Sequence, residues 1–356
     1  MLHTNLRSYF PIVKTRDEIR SIILSDNKLK REFDSWSKAS QEEFLDFTSG
    51  ARGVKILYDS FFKEIMNPEY HPERLDDLLS EVLGIKVKIV QVLPTDSTRI
   101  GDETSLVTMD IVVEAEDGSL INVEVQKIGY KFPGERSACY SADLLLRQYK
   151  RLKEASGKKK FNYKNMKSVY TIVFFENSPE QFKEYQDKYI HRFQQRSDSG
   201  VEISLLQKYI FITLDIFKKM SKNIDTKLDA WLTFLGSDKI EDILKLIEAY
   251  PEFKPMYESL YEMCLNIEGV MDMFSKELYE MDKNTELLMI DELNKEISDK
   301  REELSRYEEA ISRYEEEVSR YEEEVIQIRE FISEKDKSLA EKDALISQLK
   351  EQLSKK

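Results

Sequence analysis

The chain has 356 residues, of which 34% are charged and 11% aromatic, with only 8 prolines and 11 glycines. This composition is typical of a folded, helix-rich protein and excludes a disordered one. The formal net charge of −14 argues against diffuse attraction of the whole surface to nucleic acid, but it is compatible with a local basic surface.

Cysteine and histidine are rare in this sequence. Two cysteines (Cys139 and Cys264) and three scattered histidines have no spacing that would build a zinc site or indicate a disulfide. The N-terminus lacks the basic start and apolar run of a signal peptide, and no apolar run reaches the ~18 residues of a membrane helix. We therefore expect a soluble, cytoplasmic protein without a membrane partner.

The first half of the chain begins with helices. Residues 1–50 mix polar and aromatic residues around short helix starts, which predicts an N-terminal helical extension. Apolar residues recur at helical spacing over residues 53–66, and Asn67-Pro68 ends this segment. A second helix is predicted over residues 73–83 with Gly84 as its C-cap, and Glu81 lies off its apolar face. Residues 86–93 alternate as a strand.

Residues 105–127 carry the strongest hairpin signal, because two alternating apolar segments flank Asp117-Gly118. A two-residue loop would pair Asp110 with Val125. A three-residue loop at residues 116–118 pairs Asp110 with Glu124 and Ile111 with Val123, so apolar faces apolar along the hairpin. It also puts Gly118 where a left-handed residue is needed. We therefore predict the three-residue loop.

This register has a chemical consequence at Asp110 and Glu124. Their carboxylates would lie opposite each other on adjacent strands, roughly 5 Å apart at Cβ. A hard divalent cation held between them would offset their repulsion, since Mg²⁺ is typically bound by one or two carboxylates, water and phosphate. The alternative from spacing alone is a solvated polar face of the hairpin.

The remaining elements complete an α/β core over residues 51–220. A long helix is predicted from Pro133 to about Glu154, and residues 170–175 and 209–217 are predicted as buried strands. The order of helix, three strands, helix and strand predicts a central mixed sheet. Helices continue over residues 221–286.

Residues 287–353 are predicted to form a coiled coil, a helix of roughly 95 Å if straight. An apolar residue occupies every a position from Ile290 to Leu353, and tyrosines occupy three successive d positions, 307, 314 and 321. Glutamates fill e and g positions near the centre, so a parallel in-register homodimer would place Glu against Glu. We expect either a weak homo-oligomer or a partner helix with basic flanks.

Four stretches of the chain resemble a known family: residues 56–69 (ILYDSFFKEIMNPE), 74–84 (RLDDLLSEVLG), 109–130 (MDIVVEAEDGSLINVEVQKIGY) and 132–149 (FPGERSACYSADLLLRQY). Asp110, followed by a turn and Glu124-Val125-Gln126, is similar to the core of the PD-(D/E)XK nucleases. The closer likeness is to their branch of recombination-promoting nucleases and transposase-like proteins, the Rpn family. This resemblance implies a restriction-endonuclease-like fold over residues 50–220.

The resemblance also implies a metal centre. Asp110 and Glu124 would bind Mg²⁺, or Mn²⁺ as a substitute, and the backbone carbonyl of Val125 would complete the metal shell. Such sites activate a water for in-line attack on DNA, leaving a 3′-hydroxyl and a 5′-phosphate. Gln126 stands where the superfamily has lysine. A glutamine can position a water by hydrogen bonding but supplies no charge.

Other residues receive roles from the same resemblance. Glu81 would be a further metal ligand, or otherwise a solvated helix glutamate. Arg136 and Tyr140, one turn apart, resemble the family's R…Y pair, with Gln148 about two turns further on. Arg136 would clamp a phosphate, or otherwise form a surface ion pair. The basic window that contains Lys158, Lys159 and Lys160 would contact the DNA backbone, or otherwise be a solvated loop.

The sequence therefore predicts a Mg²⁺-dependent DNA endonuclease that serves recombination or a mobile element, with a role in genome defence equally compatible. The alternative is a catalytically impaired member of the fold that acts as a DNA-binding or coiled-coil interaction module.

Overall fold

The computed structural model describes residues 5–95, 109–127, 133–157, 161–220 and 223–354. The chain divides into two compact units, Met1–Leu288 and Met289–Lys356. The first unit holds the sheet and most of the helices. The second is helical throughout its described residues.

The α-helices of the described residues, in chain order, are α1 (Arg16–Ser25), α2 (Asn27–Ser35), α3 (Lys38–Thr48), α4 (Asp59–Ile65), α5 (Pro72–Leu83), α6 (Pro133–Ser156), α7 (Glu180–Lys183), α8 (Leu214–Met220), α9 (Lys227–Gly236), α10 (Ile240–Ala249), α11 (Lys254–Met263) and α12 (Ile267–Ser354). The strands are β1 (Ile89–Leu93), β2 (Ile111–Ala115), β3 (Leu120–Gln126), β4 (Val169–Phe175), β5 (Ile190–Gln194) and β6 (Gln207–Thr213).

These strands form one mixed sheet in the order β1-β2-β3-β4-β6-β5. The pairs β1/β2, β2/β3 and β5/β6 are antiparallel, whereas β3/β4 and β4/β6 are parallel. Helix α6 packs on one face through Tyr140 and Leu144. The large hydrophobic core on the other face includes side chains of α4, α5 and α9. The predicted mixed α/β core is confirmed.

The hairpin of β2 and β3 has the predicted register, since Ile111 pairs with Val123 and Val113 with Ile121. The Gly118 N–H donates to the Ala115 carbonyl, which closes a loop of three residues. Gly118 has φ +85°, a left-handed conformation that a residue with a Cβ adopts at a cost.

Helix α5 also follows its sequence signals. Pro72 occupies the first turn, where its missing N–H leaves no helical hydrogen bond unmade, and Gly84 ends the helix with φ +70°.

Three predicted elements have different bounds in the structure. The helix expected over residues 53–66 begins only at Asp59, and the strand expected from residue 86 begins at Ile89. The strand predicted over residues 209–217 ends at Thr213, where α8 begins. A continuous apolar run does not distinguish a buried strand from a buried helix, and Leu214, Ile216 and Phe217 are buried in the helix.

The N-terminal helices share their core with the rest of the first unit. The indole ring of Trp36 packs on Phe44 and on Phe274 of α12, with ring centroids 5.2 Å apart in both pairs. Side chains of α1, α2 and α3 belong to the same buried cluster as those of α4 and α5. The domain boundaries at residues 50, 220 and 286 stay predictions.

Helix α12 continues through the described part of the second unit to Ser354. The apolar a and d side chains from Ile290 to Leu349 are exposed there. The helix is present, and its assembly into a coiled coil stays a prediction. No helix within the described residues is long and apolar enough to cross a membrane.

Candidate active site

Two carboxylates meet at the open end of the hairpin. Asp110 immediately precedes β2 and Glu124 lies within β3, so the strand register brings them opposite each other. The backbone N–H of Asp110 donates to Oε1 of Glu124 over 3.2 Å. The pairing of these two acids, predicted from the loop length, is therefore present in the structure.

Glu124 is almost fully buried, with only 3% of its surface exposed. The amide of Asn122 donates to its Oε1 over 2.9 Å, which fixes the carboxylate along the strand. Burial raises the pKa of Glu124 to about 8, and the charge of Asp110 contributes to the rise, while Arg136 opposes it. Glu124 therefore retains a proton at neutral pH when no cation is bound.

Asp110 is held from two sides. Its Oδ2 accepts the backbone N–H of Val125 over 2.8 Å. Its Oδ1 lies 3.5 Å from the Nζ of Lys63 on α4. Burial raises the pKa of Asp110, and the Lys63 ammonium opposes this rise while the Asp59 carboxylate adds to it. The surroundings of both acids therefore favour their protonated forms as long as no cation is bound.

The donor set at this position fits a hard divalent cation. Asp110 and Glu124 offer carboxylate oxygens. In a strand, the N–H and C=O of one residue point to the same side. The Val125 N–H points to Asp110, so the Val125 carbonyl lies on the side of Asp110 as well. Oε1 of Gln126 is buried without a hydrogen-bond partner in the described structure. Among the described residues no group of three Asp, Glu, His or Cys side chains could hold a metal, so water and phosphate would complete the coordination.

Comparison with known families agrees with this geometry. A family model described as PD-(D/E)XK nuclease family transposase matches residues 56–289, about two thirds of the chain. The chain belongs to this family. No curated protein and no solved structure matches it. Membership indicates a nuclease- or transposase-like function with DNA as substrate, and PD-(D/E)XK nucleases typically use divalent metal ions.

In this PD-(D/E)XK protein the two residues after Glu124-Val125 lie on opposite faces of the sheet. Gln126 shares the face of Glu124 and is buried. Lys127 faces the other way, as strand alternation predicts, and forms an ion pair with Glu277 of α12 beside the ring of Tyr58. Burial lowers the pKa of Lys127 to about 8, although several carboxylates oppose this.

Helix α6 brings Arg136 and Tyr140 to the carboxylates. Nε of Arg136 donates to the Tyr140 hydroxyl over 2.6 Å, so the two side chains are in direct contact. Arg136 is exposed and acts electrostatically on Glu124, whereas Tyr140 is buried. Arg136 is thus exposed beside the carboxylates, where a phosphate could reach it, and its contact with phosphate stays a prediction.

Gln148 lies elsewhere. Its side chain is buried, its Nε2 donates to the carbonyl of Gly118 and its Oε1 accepts the N–H of Lys167. Gln148 therefore anchors the hairpin turn and does not lie on an exposed face where nucleic acid would bind.

The other predicted contacts are not assembled around the carboxylates. Glu81 lies near Lys227, whose pKa is raised mainly by the hydrogen bond that it donates to Asp77. Glu81 occurs in none of the described contacts of Asp110 or Glu124. Its metal role stays a prediction. Lys158, Lys159 and Lys160 lie outside the described residues.

Asp59, Lys63 and Glu277 were not predicted from the sequence as residues near the carboxylates. Asp59 and Lys63 are separated by one helical turn and form an i,i+4 ion pair beside Asp110, a spacing that the sequence displays. Glu277 accepts the backbone N–H of Asp59 from 218 residues away, and no local pattern points to such a contact.

Proposed function

We propose that this protein is a Mg²⁺-dependent DNA endonuclease that hydrolyses phosphodiester bonds. The observation that carries the proposal is the pair of opposed carboxylates, the half-buried Asp110 and the buried Glu124, each oriented by a hydrogen bond from the other's strand. Two like charges in this arrangement are unfavourable unless a cation joins them. Membership of a nuclease family supports the same conclusion.

Asp110 and Glu124 would hold the cation together with the carbonyl of Val125. Val125 N–H fixes Asp110, and the Asn122 amide fixes Glu124, so both ligands are oriented before a cation arrives. The bound cation would supply Lewis acidity toward the phosphate and lower the pKa of a coordinated water. Mn²⁺ has similar oxygen preferences and would substitute.

Hydrolysis forms a bond between the water oxygen and phosphorus while the bond from phosphorus to the 3′ oxygen breaks. The products carry a 3′-hydroxyl and a 5′-phosphate. Gln126 would position the attacking water by a hydrogen bond, and Arg136 would hold a neighbouring phosphate. Lys158, Lys159 and Lys160 would contact the DNA backbone further along. These strand breaks would serve recombination or a mobile element.

A second candidate function rests on two observations. Gln126 brings no charge to the position of the motif lysine, and α12 exposes an apolar stripe over the second unit. A member impaired in catalysis would act as a DNA-binding or interaction module, with the stripe joining a second copy or a basic-flanked helix. Such a module would bind DNA without cutting it.

The test is nicking of supercoiled plasmid by the purified full chain, with Mg²⁺, with Mn²⁺ and with a chelator. Asp110→Asn and Glu124→Gln remove one charge each and keep the side-chain shape. Glu116→Gln is the matched control, because Glu116 is an exposed acid in the loop of the same hairpin. If the protein is an endonuclease, wild type and the control should nick the plasmid only with a metal ion. The nicking rate of the two site variants should fall by about 100-fold or more.

If wild type and all variants are equally inert on several DNA forms, the interaction module is the better description. Nicking that persists unchanged in both site variants would place the reaction elsewhere in the chain.

A further inference from the structure

The position of the motif lysine in this chain is filled by the uncharged Gln126, so a side-chain cation beside the scissile phosphate would come from another position in the chain. Among the described residues, Lys63 on α4 and Lys127 after β3 both lie close enough to influence Asp110 electrostatically. They differ in what holds them and in how far they reach solvent.

Lys127 is held in the interior of the protein. Its side chain is only 13% exposed and pairs with Glu277, which is itself buried. Its ammonium also lies 5.5 Å from the centre of the Tyr58 ring. Movement of Lys127 toward a substrate would leave the Glu277 carboxylate buried without its partner, which is unfavourable.

Lys63 is arranged differently. Its side chain is 38% exposed, and its Nζ lies 3.5 Å from Oδ1 of Asp110, while Oδ2 of Asp110 is occupied by the Val125 N–H. The same Nζ is 2.9 Å from Asp59, one helical turn away. Lys63 therefore presents a partly solvated ammonium at the carboxylate oxygen that a cation would use, on a side chain tethered by its own helix.

We propose that Lys63 supplies the positive charge that Gln126 does not, by contacting a non-bridging oxygen of the scissile phosphate. This inference rests on the proposed nuclease function. Without a divalent cation, Lys63 neutralises Asp110. With a divalent cation held by Asp110, the Lys63 ammonium would turn from Oδ1 to the phosphate that arrives with the DNA.

Lys63 forms no covalent bond in this scheme. Its N–H groups hydrogen-bond the phosphate oxygen, where negative charge accumulates as water adds to phosphorus and the 3′ oxygen leaves. The proton of the attacking water passes to solvent, and the 3′ oxygen takes one up from solvent. Lysine suits this contact because its ammonium is a compact charge on a flexible stem.

The experiment compares Lys63→Met, Lys63→Arg, and Lys63→Met combined with Gln126→Lys in the full chain. Lys276→Met is the matched control, because Lys276 forms the same kind of i,i+4 pair with Asp272 on an exposed part of α12. Plasmid nicking is one readout. Binding of Mn²⁺, followed by electron paramagnetic resonance in the absence of DNA, is the second. Circular dichroism checks that each variant is folded.

We expect Lys63→Met to lose about 100-fold in nicking rate. Because the ammonium opposes a cation at Oδ1, the same variant should bind Mn²⁺ roughly three- to tenfold more tightly than wild type. Lys63→Arg should keep nicking within about tenfold of wild type, since the charge remains. Gln126→Lys should restore part of the lost nicking, and Lys276→Met should match wild type in both readouts.

Nicking by Lys63→Met at the wild-type rate would overturn the inference while the proposed function stands. Loss of nicking with unchanged Mn²⁺ affinity and no recovery by Gln126→Lys would also overturn it, since Lys63 would then only support the fold. If wild type neither nicks DNA nor binds Mn²⁺, the proposed function fails, and this inference fails with it.

Discussion

Asp110 and Glu124 titrate in a setting that favours their protonated forms. Burial raises the pKa of both carboxyl groups. A cationic side chain lies near each, Lys63 beside Asp110 and Arg136 beside Glu124. These cations offset only part of the desolvation. The metal-free pair is therefore a source of pH-dependent instability that a bound divalent cation would remove.

This instability predicts the behaviour of Glu124→Gln. The pKa of Glu124 is about 8 in the folded protein against a reference of 4.5, so the folded state binds more protons than the unfolded state between these values. The free energy of unfolding of the metal-free protein therefore falls as pH rises from about 5 to about 8. Glu124→Gln removes this contribution, and the unfolding free energy of the variant should exceed that of wild type by roughly 4 kcal/mol at pH 8 and by less than about 1 kcal/mol near pH 5.

Thermal unfolding in a chelator at both pH values measures this difference. Glu116→Gln, an exposed acid of the same hairpin, should follow wild type at both values. Equal pH dependence in wild type and Glu124→Gln would contradict the titration argument. Adding Mg²⁺ at pH 8 should raise the Tm of wild type but not that of Glu124→Gln.

The two acids were predictable because they lie on a hairpin whose loop and alternation determine one register. Lys63 reaches Asp110 from a helix, and strand register contains no information about which helix packs over the end of a strand. The position of Gln148 likewise depends on its tertiary contacts: its spacing on α6 resembles a site residue, but the structure places it at the hairpin turn. Lys63 was therefore missed, and the hairpin turn was not expected to be the place of Gln148, because tertiary contacts determine both positions.

At the level of elements, the β2/β3 hairpin is held at both ends. The carboxylates meet at its open end, and at its closed end the Gly118 carbonyl accepts from Gln148 on α6. The left-handed backbone at Gly118 allows the three-residue loop, and that loop sets the register that opposes Asp110 to Glu124. The geometry of the site thus depends on a turn at the other end of the hairpin.

Gly118→Ala tests this dependence against Gly84→Ala. Both glycines have positive φ, but a Cβ at Gly84 meets nothing within 4 Å, whereas one at Gly118 comes within 3.3 Å of the Lys167 side chain. Gly84→Ala should therefore cost about 1 kcal/mol through backbone conformation alone. Gly118→Ala should cost more, about 2 kcal/mol, because Lys167 must also shift.

Denaturant unfolding in the presence of a chelator gives both free energies. Only Gly118→Ala should weaken Mn²⁺ binding, because only that turn determines the carboxylate register. Equal losses of stability with unchanged metal affinity in both variants would show that the hairpin keeps its register without this glycine.

Over the whole molecule, the exposed apolar stripe of the second unit is flanked by acidic side chains. Glu308, Glu315 and Glu322 occupy e positions, and Glu317 and Glu324 occupy g positions. The stripe favours association through burial of apolar surface, whereas the glutamates of two copies oppose it. The balance between the two should shift when salt screens the charges.

Self-association of the full chain should therefore strengthen between about 0.05 M and about 0.5 M NaCl, as the Debye length falls from more than 10 Å to about 4 Å. Sedimentation equilibrium at several protein concentrations measures it. Replacing Tyr314, an exposed d-position residue, by Glu should abolish association at both salt concentrations. Association that weakens with salt would indicate attraction between charges and contradict the predicted repulsion.

The order of core elements was predictable because the strands and helices of the nuclease fold carry clear local periodicities. The packing of the N-terminal helices against that core was not predictable, since Trp36 and Phe44 contact Phe274, which is more than half of the chain away in sequence. Strand β5 was also missed, because it is a short edge strand with partly exposed side chains and little apolar alternation.

The contact of Glu277 with Asp59 determines how late in synthesis the surroundings of the two carboxylates are complete. Glu277 accepts the first helical N–H of α4, from Asp59, and pairs with Lys127. Asp59 and Lys127 both act electrostatically on Asp110, so they depend on a residue made 218 positions after Asp59. A ribosome-bound chain can fold its N-terminal helices and its hairpin well before this residue emerges. The growing polypeptide therefore carries both carboxylates while their setting is still incomplete, and the proposed nuclease activity should be lower in an incomplete nascent chain than in the finished protein.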